Sequence, residues 1–185
     1  MLGIDDRAIR GWPVQQVRAS LVDSSKARGG RQASRHPVLA LDLEGTLVSN
    51  AVSQIPRPGV GEFLTGCRAL FSRIVMFTTV REPQFRRIAR GLVEEQVVPA
   101  WFADLECVDW TGPTKDLRVI SRVPWPHVLL VDDCQAYVHP GQEPHWVPVQ
   151  QFCSPYSDTD TELPAVLEQL RSRLRQMTGS RLSAD

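Results

Sequence analysis

The sequence predicts a three-layer α/β protein with a central parallel sheet. Three short apolar runs, at residues 38–41, 74–77 and 128–131, have the unbroken hydrophobicity that is typical of strands buried on both faces. Segments with helical periodicity separate these runs, and strands that alternate with helices favour right-handed crossovers. Weaker strands are predicted at residues 101–105 and 146–149.

Three helices are predicted from apolar residues that recur every three or four positions. The first covers residues 60–71. The second covers residues 85–92 and opens after Pro83, a residue suited to the first turn of a helix. The third covers residues 163–174, and residues 158–160 supply acidic side chains for capping its N-terminus.

The chain is predicted to have three parts. Residues 1–36 form an N-terminal segment and flexible linker, because residues 24–35 are basic, rich in Gly and Ser, and hold no hydrophobic residue larger than Ala. Apolar residues within 9–21 leave two alternatives for the start of this segment, a short docked helix or disorder. Residues 37–178 form the folded domain, and residues 179–185 form a C-terminal tail.

Composition excludes several classes of protein. The 21 Lys and Arg residues equal the 21 Asp and Glu residues, so no global field attracts nucleic acid or an anionic membrane. Cys67, Cys107, Cys134 and Cys153 lack zinc-site spacing and are expected to be reduced thiols. We expect neither a signal peptide nor a membrane helix, because no apolar stretch comes near the roughly 20 residues that such a helix needs. We therefore expect a soluble, cytoplasmic protein.

Polar residues follow each of the three strong strands. Asp42, Thr78 and the pair Asp132 and Asp133 come directly after the three apolar runs. Open α/β sheets bind ligands outside the carboxyl ends of their strands, so we expect these side chains to converge.

The first of these strand ends carries the residues for covalent chemistry on phosphorus. The Asp42 carboxylate can attack a phosphoryl group and form an aspartyl-phosphate. Glu44, two residues later, can protonate the leaving oxygen and then deprotonate water. Gly45 lets the backbone turn closely around a phosphate. The alternative interpretation of residues 42–47 is an ordinary strand-to-loop turn whose acidic side chains are solvated.

The other residues supply groups for phosphate and metal. The Thr78 hydroxyl can donate to a phosphate oxygen, and the Lys115 ammonium can neutralise phosphoryl charge. Asp132 and Asp133 end a buried strand, where two carboxylates are costly without a compensating cation, and Mg²⁺ is a natural partner. Taken alone, Thr78 could simply cap a strand, Lys115 could be a solvated surface residue, and Asp132 and Asp133 could begin an acidic loop. Their order along the chain, together with Asp42, is what favours a functional site.

This order of residues resembles the haloacid dehalogenase (HAD) superfamily. Further strings narrow the resemblance to the small CTD phosphatases, also called the NLI-interacting-factor-like group; they lie at residues 55–59, 77–79, 115–117, 131–133, 137–140 and 160–163. The resemblance runs from about Val38 to Leu174. It implies a three-layer, Rossmann-like HAD fold with a minimal cap.

The resemblance also implies roles for the site residues. Asp42 would be the nucleophile, Glu44 the acid/base, and Lys115 a catalytic cation. The implied phosphate-binding residues are Thr78, Thr79 and Lys115, and the implied Mg²⁺ residues are Asp42, Glu44, Asp132 and Asp133. Within the metal set, Glu44 would contribute its backbone carbonyl, and Asp133 would contact the ion directly.

Three features depart from the group. Relatives usually have Asp where this chain has Glu44, and a carboxyl displaced by about 1 Å can cost about a hundredfold in rate. The stretch between Leu47 and Pro56 is short where relatives often carry a longer flap. Residues 104–113 lack an arginine that relatives often place before the lysine.

The leading interpretation is a Mg²⁺-dependent phosphomonoester hydrolase. A short cap leaves the site open and favours phosphoserine or phosphothreonine proteins as substrates. One alternative is a phosphatase for nucleic-acid ends, nucleotides or small metabolites, which the basic linker favours weakly. Another is a catalytically weak binding module, although Asp42, Lys115 and Asp133 favour an enzyme.

Two further groups of residues lie near the predicted site. Trp110 is the tryptophan most suited to line a substrate groove, because it lies close to Lys115 in the sequence. Arg81, Arg86 and Arg87 follow Thr78 and could attract an anionic substrate, but a solvated helix face is the favoured interpretation.

Overall fold

A computed structural model describes residues 36–179 of the chain. The predicted N-terminal segment, its linker and nearly all of the C-terminal tail lie outside the described residues. The strands form one sheet in which every neighbouring pair is parallel, in the order β3-β2-β1-β4-β5. Their bounds are β1 Val38–Leu41, β2 Arg73–Met76, β3 Glu106–Cys107, β4 Val128–Asp132 and β5 Trp146–Pro148.

The connections of the sheet reverse direction at β1. Leu41, the last residue of β1, lies opposite Met76 of β2 and Val131 of β4. The chain passes from β1 to β2 and β3 on one side, and β4 and β5 lie on the other side. The carboxyl ends of β1 and β4 therefore form a topological switch point, where open α/β sheets bind their ligands. Asp42 and Asp132 lie at this point.

Three α-helices contribute to the larger hydrophobic core. They are α1 Val60–Leu70, α2 Glu82–Glu94 and α3 Glu162–Gly179. Pro83 lies in the first turn of α2, as predicted. Asp160 caps α3 by accepting a hydrogen bond from the Glu162 N–H at 2.9 Å, which confirms part of the predicted capping region. Across residues 36–179, no helix has the length and apolar composition to cross a membrane.

The two faces of the sheet bury alternate strand residues. The helix-covered face buries Leu39, Leu41, Ile74, Met76, Leu129 and Val131. The opposite face buries Val38, Ala40, Val75, Phe77, Val128 and Leu130.

Short 3₁₀ segments and aromatic rings cover this second face. The segments are Leu117–Val119 and Trp125–His127, and Trp110 and Trp146 pack beside them. The connection between β3 and β4 is rich in proline, a residue that interrupts a longer helix. Bulky indole rings here supply the apolar area that an α-helix supplies on the other face.

One predicted strand is wrong. The sequence predicts a strand at residues 101–105, but Ala100–Asp104 forms a 3₁₀ helix and β3 follows it. Pro99 precedes this helix, and its carbonyl accepts from the Phe102 N–H at 2.9 Å, which closes a turn. The weak strand expected at residues 146–149 is confirmed by β5.

A small hairpin joins β1 to α1 above the carboxyl end of the sheet. Val48 and Pro56 form an antiparallel bridge, and the Ser49 N–H donates to the Ile55 carbonyl at 2.9 Å. Val52 lies in the turn between them with 87% of its surface exposed. This hairpin is the minimal cap of the fold.

Candidate active site

A buried lysine joins the ends of β1 and β4. The Lys115 Nζ lies 2.6 Å from Asp42 Oδ1 and 2.5 Å from Asp132 Oδ2. The side chain of Lys115 is 0% exposed, so these two carboxylates replace its water. The Lys115 N–H also donates to the Tyr137 carbonyl at 2.7 Å, which fixes the backbone from which the side chain extends.

A third carboxylate completes an acidic cluster. Asp42, Asp132 and Asp133 each offer a carboxylate oxygen, and these oxygens all lie within 4.8 Å of one another. Gly45 allows this approach, because a Cβ at that position would lie 2.4 Å from Asp133 Oδ2. Gly45 also has a φ of +74°, which disfavours other residues. The Thr46 hydroxyl donates to Asp133 Oδ1 at 3.4 Å.

The acidic cluster and Lys115 are largely buried from solvent, and together they hold more negative than positive charge. Burial raises the pKa of Asp42 to about 7, and the charges of Asp132 and Asp133 add to this rise while Lys115 opposes it. Burial and the Asp132 charge likewise raise the pKa of Asp133. Burial lowers the pKa of Lys115, but Asp42 and Asp132 together raise it above its ordinary value, so the ammonium stays charged.

The residues present fit a hard divalent cation. Three carboxylates face one ammonium, so one Lys115 charge does not balance the cluster. Oxygen donors are the ligands that Mg²⁺ prefers in proteins. Both oxygens of Asp132 are already engaged, one by Lys115 and the other by the Cys134 N–H at 2.8 Å. The Asp133 carboxylate accepts from its own backbone N–H and, at 3.4 Å, from the Thr46 hydroxyl, but within residues 36–179 no Lys or Arg forms an ion pair with it, so it is the freer ligand.

Aromatic side chains surround the lysine. The Lys115 Nζ lies 5.5 Å from the centre of the Tyr137 ring, within the range of a cation–π contact. The Trp146 indole N–H donates to the Asp132 carbonyl at 2.8 Å. Neither Tyr137 nor Trp146 is among the predicted site residues. Tyr137 does belong to residues 137–140, one of the segments that carry the family resemblance. That segment is the one feature of the sequence that indicates a site role for Tyr137.

Glu44 lies beside the hairpin. Its Oε1 accepts a hydrogen bond from the Ala51 N–H at 2.6 Å. The Ala51 carbonyl in turn accepts from the side-chain amides of Gln54 and Gln84, at 3.3 Å and 3.4 Å. The hairpin therefore holds the longer side chain of Glu44 in one orientation.

Thr78 and Thr79 follow β2 and line a cavity of about 400 Å³. Thr78 is buried, and its hydroxyl accepts from the Val80 N–H at 3.3 Å. Thr79 is exposed. The Trp110 indole N–H donates to the Thr78 carbonyl at 3.0 Å, so the predicted groove residue contacts the predicted phosphate ligand.

The structure brings part of the predicted site together directly. Asp42, Asp132 and Asp133 lie at strand ends and share one cluster with Lys115, which lies in the connection between β3 and β4. Glu44 is fixed on the hairpin side. Thr78 and Thr79 line the cavity that follows β2.

Comparison with known proteins assigns the family. The family model described as NLI interacting factor-like phosphatase matches residues 37–181, which include every element of the sheet and every predicted site residue. A comparison with curated proteins gives no match. The match covers most of the 185 residues, so the chain belongs to the NLI interacting factor-like phosphatases, a family of the HAD superfamily.

Proposed function

We propose that the protein hydrolyses phosphomonoesters in two steps through a phosphorylated Asp42, with Mg²⁺ as cofactor and phosphoserine or phosphothreonine proteins as substrates. The observation that carries the proposal is the buried Lys115 ammonium between Asp42 and Asp132 at the switch point of the sheet. A cation in this place orients the nucleophile and attracts the phosphoryl oxygens of a substrate.

In the first step, a carboxylate oxygen of Asp42 attacks phosphorus. A new phosphorus–oxygen bond forms to Asp42, and the bond from phosphorus to the leaving oxygen breaks. Glu44 donates its proton to that oxygen, so a neutral alcohol departs. Lys115 and the Thr78 hydroxyl face the charge that gathers on the phosphoryl oxygens.

In the second step, Glu44 takes a proton from water, and the water oxygen attacks the phosphorus of the aspartyl-phosphate. The bond between phosphorus and Asp42 breaks, which releases phosphate and restores the carboxylate. The Ala51 N–H holds Glu44 in place for both proton transfers.

Asp42, Asp133 and the backbone carbonyl of Glu44 would hold Mg²⁺, with Asp132 as a supporting residue that positions Lys115. The ion would neutralise phosphoryl charge that Lys115 alone does not balance. The carboxylate donors and their unbalanced negative charge support this assignment.

The small hairpin supports a protein substrate. A cap this short is expected to leave room for a large molecule whose phosphorylated side chain reaches Asp42, which is 5% exposed. A closed cap, by contrast, would favour metabolites. The basic linker that favoured nucleic acid lies outside the described residues.

The test is a comparison of substrate classes with and without Mg²⁺. We expect hydrolysis of phosphoserine peptides and an aryl phosphate that is lost in chelator and restored by Mg²⁺. Oligonucleotide phosphates and nucleotides should be poorer substrates. Phosphatase activity that is indifferent to chelator would overturn the cofactor, and a preference for nucleotides would overturn the substrate class.

A further inference from the structure

Lys115 lies in a part of the chain that no helix or strand holds in place. It belongs to the connection between β3 and β4, just before the 3₁₀ segment Leu117–Val119. Its ammonium nevertheless meets Asp42 at 2.6 Å and Asp132 at 2.5 Å. A displacement of about 1 Å can cost about a hundredfold in rate, so the backbone that carries this lysine needs support from other residues.

The support comes from the loop that follows β4 and begins at Asp133. The Lys115 N–H donates to the Tyr137 carbonyl at 2.7 Å. His139 contacts the residue before the lysine, because its Nδ1 lies 2.8 Å from the Thr114 hydroxyl. The loop that carries a proposed Mg²⁺ ligand therefore also holds the start of the segment that carries the catalytic ammonium.

Gln142, in the same loop, holds the two residues that follow the lysine. Its Oε1 accepts from the Leu117 N–H at 2.8 Å, and its Nε2 donates to Asp116 Oδ1 at 2.8 Å. Gln142 is only 4% exposed, so water has little access to either hydrogen bond. Its own N–H donates to the His139 carbonyl at 3.0 Å, which closes a turn and fixes the backbone from which the carboxamide extends. Both ends of one buried amide thus act on the segment that carries Lys115.

We infer that Gln142 is a positioning residue for the proposed phosphoryl transfer, because its carboxamide fixes the backbone of Lys115 and so keeps the ammonium between Asp42 and Asp132. The inference rests on the proposed function and adds to it a residue outside the acidic cluster. Residues that orient a functional group in this way typically contribute about tenfold to hundredfold. Loss of the carboxamide should therefore let the ammonium move away from its two carboxylates.

The first measurement is kcat/KM of the full-length protein on a phosphoserine peptide with Mg²⁺. Gln142→Met keeps the length of the side chain but has neither the donor nor the acceptor, and it should lower kcat/KM by about tenfold to hundredfold. Arg73→Met is the matched control. Arg73 lies at the amino end of β2 and donates to the Ser121 carbonyl at 2.6 Å, so its loss loosens the same connection at the edge of the sheet opposite the site. This control should keep the wild-type kcat/KM.

The second measurement observes the lysine itself. Lys26 and Lys115 are the two lysines of the sequence, so protein labelled with ¹⁵N-lysine gives two side-chain ammonium signals by NMR, and Lys26→Arg assigns them. An ammonium held by two buried carboxylates exchanges its protons slowly with water. We expect a sharp Lys115 signal at low temperature in the wild type and in Arg73→Met, and a signal broadened or lost through faster exchange in Gln142→Met. A role of Gln142 in stability alone would not change this signal.

Gln142→Asn replaces Gln142→Met if that variant does not fold. It keeps an amide but is one methylene too short to make both hydrogen bonds in the same way, so it should show both changes to a smaller extent. The inference is overturned if the folded variant keeps the wild-type kcat/KM, if its Lys115 signal is unchanged, or if Arg73→Met loses as much activity. If the wild type hydrolyses no phosphoserine peptide, the proposed function fails, and the ammonium signal alone then decides whether Gln142 fixes Lys115.

Discussion

The guanidinium of Arg57 forms a two-point ion pair with the carboxylate of Asp160. The Nε–Oδ1 distance is 3.1 Å, and the Nη2–Oδ2 distance is 2.9 Å. Arg57 is only 2% exposed, and its Nη1 also donates to the carbonyls of Gln150 and Thr46, at 2.8 Å and 3.4 Å. Because Asp160 caps α3 through Glu162, one buried arginine connects that helix to the loop after β1.

Replacement of Arg57 by Met should destabilise the protein by about 3 kcal/mol or more, because it leaves a carboxylate and two carbonyls without their donor. The free energy of unfolding in urea is the measurement. Arg171→Met is the control, since Arg171 pairs with Glu168 on the exposed surface of α3 and should lose less than about 1 kcal/mol. Equal losses in the two variants would show that the Arg57 network adds no stability beyond a surface pair.

The same pair predicts a dependence of stability on pH. Burial raises the pKa of Asp160, but the hydrogen bonds from Arg57 and the Glu162 N–H and the Arg57 charge outweigh it, so the pKa is lower than usual. The unfolded chain then binds more protons, so this stabilisation is complete above the ordinary Asp pKa of about 4 and is lost as pH falls below it.

The difference in unfolding free energy between the wild type and Asp160→Asn isolates this effect. We expect a difference that is constant from about pH 5 to 7 and shrinks below about pH 4. A difference that grows on acidification would have the opposite sign to this linkage and would contradict it.

The metal ligands are expected to differ in strength. Asp133→Ala should weaken Mg²⁺ binding by more than about a hundredfold, whereas Asp132→Ala should weaken it by about tenfold, as for a residue that supports the ligands. Both Asp132 oxygens are held by Lys115 and Cys134, and this is the physical reason. Isothermal titration calorimetry measures the Mg²⁺ dissociation constant of each variant without any turnover of substrate. A larger loss in Asp132→Ala would reverse the assignment.

Glu44→Gln should lower the rate on phosphoserine peptides by about a hundredfold to ten-thousandfold, the range for a general acid/base. The loss should be smaller for an aryl phosphate, whose leaving group departs without a proton. Steady-state rates on both substrates decide this. Equal rates of Glu44→Gln and the wild type on phosphoserine would remove Glu44 from the mechanism.

Glu44→Asp tests whether the hairpin has adjusted to the longer side chain. The Ala51 N–H meets Glu44 Oε1 at 2.6 Å, and a side chain shorter by one methylene would not reach it in the same way. We therefore expect Glu44→Asp to be less active than the wild type on phosphoserine. A gain in activity would indicate a site still suited to Asp and a weak natural enzyme.

The strands and the acidic cluster were predictable because they depend on local signals. An unbroken apolar run indicates a buried strand, and the residue that follows it must lie at the sheet edge, so Asp42 and Asp132 could be expected to meet. Lys115 does not follow an apolar run, so no local pattern predicts its position. It was placed by the family resemblance, since an isolated lysine in a loop is usually solvated.

Other features depend on contacts between residues far apart in the sequence. β3 has only two residues, too few for a periodic pattern, and the 3₁₀ helix before it contains the apolar residues that resembled a strand. Arg57 lies between two prolines and resembles a surface loop residue. Its burial follows from Asp160, 103 positions away in the sequence, and no local pattern indicates that pairing.

The most direct test of the mechanism is turnover by Asp42→Asn on a phosphoserine peptide in saturating Mg²⁺. Asn has nearly the shape of Asp and removes a charge that is costly in this buried cluster, so the variant should fold and keep the wild-type circular dichroism. Without the carboxylate no aspartyl-phosphate forms, and we expect no detectable phosphate release. Appreciable turnover by folded Asp42→Asn would contradict covalent catalysis at Asp42.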